Sequence, residues 1–133
     1  MAVGELHHIE IWVADLDATK DSWGWLLSEL GYEVYQDWID GRSYRLGATY
    51  IVLEQSPDLT DDRHDRRSPG LNHLAFHAGS VADVDRLVSE SSVHGWSLLF
   101  ADRHPFAGGG GHYAAYLENG EGFEVELCAE QSE

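Results

Sequence analysis

The chain has 133 residues, enough for one domain with a buried core, and an ordinary globular make-up of 43% hydrophobic and 24% charged residues. Its 24 Asp and Glu against 8 Lys and Arg give a formal net charge of −16. That balance argues against nucleic acid or a membrane surface as partner, since both need clustered cations. The start lacks the basic-then-apolar pattern of a secretory signal, no apolar run reaches the ~18 residues of a membrane span, and the single Cys128 has no internal disulfide partner. A cytoplasmic protein is expected.

The first element is a strand in which Ile9, Ile11 and Val13 alternate as an apolar face and leave His8, Glu10 and Trp12 on the other. Asp15 then caps a helix whose apolar positions, Leu16, Trp23, Leu26, Leu27 and Leu30, stop at Gly31. Three strands follow: residues 32–39, 42–46 after an Asp40-Gly41 turn, and 49–54 after the Gly47-Ala48 break. In the last of them Ile51 and Leu53 face the core, leaving Tyr50, Val52 and Glu54 opposite. Residues 55–69 are polar and read as a linker with solvated charges.

The pattern then starts again. Leu71-Asn72-His73-Leu74-Ala75-Phe76 repeats the L-x-H-apolar-x-apolar signature of Leu6-His7-His8-Ile9-Glu10-Ile11, with His73 standing 65 residues after His8. Leu74 and Phe76 face a second helix, leaving His73, Ala75 and His77 on the other side. That helix is capped by Ser80 with Asp83, carries Val81, Val84, Leu87 and Val88, and stops at Gly95. A strand over 96–101, a glycine-rich loop expected to form a flap, and strands over 112–117 and 123–128 complete the copy. Alternation leaves His112, Ala114 and Tyr116 together in the first of these last two strands, and Glu124 and Glu126 together in the second. The non-helix faces thus collect histidines, carboxylates and aromatics without a lysine or arginine, which fits a concave small-molecule site. Two imidazoles and a carboxylate also form a ligand set for a divalent ion.

These stretches, together with Ala115-Tyr116-Leu117-Glu118-Asn119-Gly120-Glu121-Gly122-Phe123-Glu124-Val125-Glu126-Leu127, resemble the vicinal oxygen chelate superfamily, which includes glyoxalase I, extradiol dioxygenases, fosfomycin-resistance transferases and bleomycin-binding proteins. The resemblance spans nearly the whole chain. It implies an α+β fold of two βαβββ modules (about 5–55 and 70–129, with a linker of about 56–69) whose mixed sheets curl into a cup with the helices outside. It also implies a homodimer and a divalent metal (Fe, Mn, Ni or Zn) held by His8, His73 and Glu126. The further carboxylate of glyoxalase I falls on Val52, with Glu54 two residues beyond. The acidic chain supplies few of the cations that fosfomycin transferases place around a phosphonate.

Two functions follow from this. One is a metal-dependent lyase, dioxygenase or transferase acting on a small oxygen-bearing substrate, with Glu10 or Glu54 moving a proton and Trp12, Tyr50, His77, His112 and Tyr116 as substrate contacts. The other is a metal-independent resistance protein whose aromatic residues sequester a flat natural product. Cys128 is expected to be inert, since no nearby cation would stabilise its thiolate.

Overall fold

Each half of the repeat builds its own four-stranded sheet and lays one helix on it. The computed structural model describes residues 2–130 and divides into two compact units, the first ending at Arg63 and the second starting at His64. The first unit runs β1 (His8–Trp12), α1 (Leu16–Glu29), β2 (Glu33–Trp38), β3 (Gly41–Leu46) and β4 (Thr49–Glu54), with sheet order β1-β4-β3-β2. The second runs β5 (Leu74–His77), α2 (Val81–Ser91), β6 (Trp96–Leu99), β7 (Ala114–Asn119) and β8 (Glu124–Cys128), with order β5-β8-β7-β6. In both sheets the first strand pairs in parallel with the last, and the remaining pairs are antiparallel. This is the two-module α+β architecture expected from the repeat.

Sequence signals fix the helix ends. The Asp15 carboxylate accepts from Ala18 N–H, satisfying a donor that the first turn of α1 would otherwise leave open. At the other end Gly31, at φ +94°, lets Tyr32 N–H reach Leu27 C=O at 2.9 Å and its own N–H reach Ser28 C=O at 3.1 Å, a Schellman stop. In α2 the capping box is closed: Ser80 Oγ accepts from Asp83 N–H at 3.1 Å and the Asp83 carboxylate accepts from Ser80 N–H at 2.9 Å.

Packing then follows the apolar faces. Trp23, Leu26 and Leu27 of α1 are fully buried, as are Val13 and Leu53. Gly24 makes room within this face: a Cβ there would stand 2.6 Å from the Tyr44 hydroxyl and force that ring to shift. The second core holds Val84, Leu87, Trp96, Leu117, Val125 and Leu127, each at most 1% exposed. Fully burying a Leu or Val side chain stabilises by about 1.5–3 kcal/mol, so these clusters anchor both sheets. No helix among the described residues is long and apolar enough to cross a membrane.

Two local expectations change. The strand expected over 112–117 begins at Ala114, so His112 belongs to the preceding loop and alternation does not set its direction. The cause is a turn: His112 N–H bonds Gly109 C=O and Ala114 N–H bonds Pro105 C=O, which diverts the backbone until the ladder with β8 starts. Two residues of the stretch expected to be only solvated are also held. His64 stacks on Phe123 at 4.6 Å and bonds Leu71 C=O, and Arg66 pairs with Glu124 at 3.1 Å.

Candidate functional site

The second unit gathers its chemistry around one carboxylate. Glu126 lies on β8, between β5 and β7, and is 7% exposed. Its register partners are Ala75, whose small side chain leaves space, and Tyr116. His73 Nε2 stands 3.0 Å from Oε1, while His112 Nε2 at 2.6 Å and Cys128 Sγ at 3.3 Å both meet Oε2. Burial alone would push this carboxyl up. The hydrogen bonds from His112, Cys128, His73 and Tyr116 outweigh it and hold Glu126 below its ordinary value, so the group stays anionic.

The neighbours respond to that charge. Burial, with Glu126 close by, pushes the Tyr116 hydroxyl up to about 12 and the Cys128 thiol up to about 11. Both are therefore protonated donors at neutral pH. His73 Nδ1 meets Asn72 Oδ1 at 2.6 Å, which fixes the ring with Nε2 toward Glu126. Gly108 closes the rim: a Cβ there would collide with the Tyr116 hydroxyl and crowd the His112 ring, so a larger residue would displace those side chains.

Glu124, two residues earlier on β8, has the opposite character. Burial raises its carboxyl above the ordinary value, while Arg66 and His73 pull it back only in part. Arg66 Nη1 lies 3.1 Å from Oε1, and His73 Nδ1 lies 3.8 Å from Oε2.

The first unit builds a different site, a hollow of about 450 Å³ lined by His8, Glu10, Gln36, Asp37, Trp38, Tyr50 and Val52. That volume suits a small molecule. His8 stacks on Tyr50 with centroids 4.9 Å apart and planes 5° apart, and its Nδ1 lies 2.9 Å from His7 Nδ1, leaving Nε2 as the nitrogen open to a ligand. Trp12 Nε1–H donates to Glu10 Oε2 at 2.7 Å, so that indole holds the carboxylate. Asp37 is bonded by Arg42 at 3.0 Å, which lowers its pKa.

Of the residues singled out from the sequence, the structure brings His73, His112, Tyr116 and Glu126 together in the second unit, and His8, Glu10 and Tyr50 in the first. Glu54 lies in register with Trp12 and Gly41, outside the lining of the hollow. His77 is exposed at the end of β5, opposite Cys128. Sequence reasoning missed Cys128, Asn72 and Arg66. For Cys128 the signal was available, because alternation along β8 puts residues 124, 126 and 128 on one face.

A family model described as the glyoxalase/bleomycin resistance protein/dioxygenase superfamily matches residues 7–116. The uncharacterised protein YqjT of Bacillus subtilis (strain 168) is 47% identical over 126 residues, covering 93% of this chain and 98% of that one. The crystal structure of a candidate glyoxalase from Bacillus halodurans superposes with a TM-score of 0.90 at 46% identity, over 96% of this chain and 97% of that one. A glyoxalase/bleomycin resistance protein from Albidiferax ferrireducens T118 superposes with a TM-score of 0.74 at 20% identity, over 95% and 98% of the two chains, and so shares the fold.

Proposed function

Because this chain belongs to the glyoxalase/bleomycin resistance protein/dioxygenase superfamily, we propose that it is a cytoplasmic, divalent-metal-dependent enzyme acting on a small substrate with neighbouring oxygens. The observation that carries this reading is the buried Glu126 with imidazole nitrogens on both of its oxygens. The donor set fits the ion: nitrogen and carboxylate ligands suit Zn, Fe, Ni or Mn. His73 and Glu126 would hold it.

When bound, such an ion supplies Lewis acidity toward substrate oxygens. The chain's own groups do the rest. Asn72 Oδ1, 2.6 Å from His73 Nδ1, orients the ring with Nε2 toward Glu126, and with an ion bound it would accept from Nδ1–H. Tyr116, with a hydroxyl that keeps its proton, donates a hydrogen bond to the anionic centre. Glu10 is the proton acceptor: Trp12 occupies Oε2 and leaves Oε1 for a substrate in the hollow.

The test is calorimetric titration of metal-free protein with Zn, Ni, Mn and Fe(II). One ion per chain is expected, with binding lost in His73→Ala and Glu126→Gln. Absence of binding to the wild type would refute the reading. Light scattering on the same samples is expected to give twice the chain mass, since twofold assembly is common in such proteins.

A second reading has its own observation, the ring-lined hollow with the His8–Tyr50 stack and Trp38. A protein that sequesters a flat natural product would use these surfaces and need no ion. It would bind an aromatic ligand equally well with a chelator present.

A further inference from the structure

Glu126 has two differently furnished oxygens, and the second is surrounded by more than a hydrogen-bonded carboxylate needs. Oε1 faces His73; Oε2 faces both His112 Nε2 and Cys128 Sγ. The nitrogen and the sulfur are themselves 3.8 Å apart, and all three ligand atoms lie within 4.8 Å of one another.

If these residues served only to solvate a buried charge, the thiol would be a poor choice. It is a weak hydrogen-bond donor, and Glu126 already has His73, His112 and Tyr116. The spacing has a different use. Ligands bound to one tetrahedral ion at about 2.0–2.3 Å stand roughly 3.4–3.6 Å apart. The Sγ–Nε2 and Sγ–Oε2 separations of 3.8 and 3.3 Å fall on either side of that value, and the Nε2–Oε2 hydrogen bond of 2.6 Å would open by less than an ångström.

We infer that His112, Glu126 and Cys128 form a nitrogen–oxygen–sulfur site for a thiophilic divalent cation, with zinc as the type case. The inference rests on the metal-dependent reading above and sharpens it, because it adds two ligands and names the class of ion. Binding would displace the Cys128 thiol proton to solvent, and the resulting thiolate selects zinc, cobalt and nickel over manganese and magnesium, which favour oxygen. The residues come from the end of the glycine-rich loop and from β8, so all three lie in the second unit.

The test uses cobalt(II) on the metal-free full chain. A thiolate ligand gives an intense sulfur-to-cobalt charge-transfer band in the near ultraviolet, whereas imidazole and carboxylate ligands alone do not. The wild type is expected to show this band. Cys128→Ser should abolish it and weaken cobalt binding tenfold or more, while leaving manganese binding within about twofold and the circular dichroism spectrum unchanged. His112→Ala should also weaken cobalt binding tenfold or more but keep the band. Cobalt binding without a charge-transfer band, at the same affinity in Cys128→Ser, would overturn this inference and leave the metal-dependent reading standing. Failure of any ion to bind the wild type would overturn both.

Discussion

The two modules fill one cross-strand slot in opposite ways. In the first, Glu10 on β1 faces Val52 on β4; in the second, Ala75 on β5 faces Glu126 on β8. Two residues along, Trp12 faces Glu54 where His77 faces Cys128. The backbone has been repeated, but the carboxylate has changed strands. On β8 it has neighbours on both sides, so donors reach it from the residue just before β5, from β7 and from the loop that precedes β7. On β1, the end strand of its sheet, it remains exposed and is held by Trp12 of the same strand. An inner strand makes a buried, many-donor centre; an end strand makes a rim group facing a hollow. The same fold thereby separates a buried, multiply bonded carboxylate from an exposed one.

The sharpest way to break this comparison is to neutralise each carboxylate in turn. Glu126→Gln is expected to cost more metal affinity than the roughly 10–100-fold that follows loss of an orienting partner. Glu10→Gln should leave that affinity nearly unchanged while lowering turnover by about a hundredfold. Equal losses of metal in both variants, measured by titration, would show that the slots are not differentiated. A smaller effect is expected from Tyr50→Ala. It removes the stacking face under His8 and should weaken an aromatic ligand in the hollow by about tenfold, near 1.4 kcal/mol, without moving metal affinity.

The smallest effect concerns the helix starts. Ser80→Ala should cost about 1 kcal/mol, a few degrees in thermal midpoint. The partner carboxylate Asp83 sits below its ordinary value because Ser80's backbone N–H, and then its side chain, bond it. A depressed carboxyl stabilises above its unfolded pKa and loses that contribution as pH falls through the folded value. The midpoint difference between wild type and Asp83→Asn should therefore shrink in acid, read by melting curves at several pH values.

How much of this was legible in the sequence depended on what set each residue's position. The repeat, both helix caps and the faces of β1, β4, β5 and β8 follow from periods of 2 and 3.6, and the structure carries them through from Ile11 and Val13 to Val125 and Leu127. His73 and Glu126 were legible for the same reason. His112 was not placed correctly, because a turn rather than a pleat orients it. Arg66 was invisible: nothing local marks an arginine in a charged stretch as the counter-ion of a glutamate 58 residues later. Cys128 was dismissed on the lack of a nearby cation, which speaks to nucleophilicity and not to ligation.

The Arg66–Glu124 pair fixes where the second module can be cut. Its apolar pattern begins at Gly70 and Leu71, and a boundary drawn there looks natural. Yet Glu124 is 4% exposed, and its guanidinium comes from upstream of that boundary, as does the His64 ring stacked on Phe123. A fragment starting at residue 70 would keep an interior anion and discard its cation, whereas one starting at residue 64 keeps both. Replacing residues 64–69 by a Gly/Ser tether would remove the same two supports. His64 and Arg66 of the joining segment thus belong to the second module, and any swap of modules between relatives has to carry them along with β8.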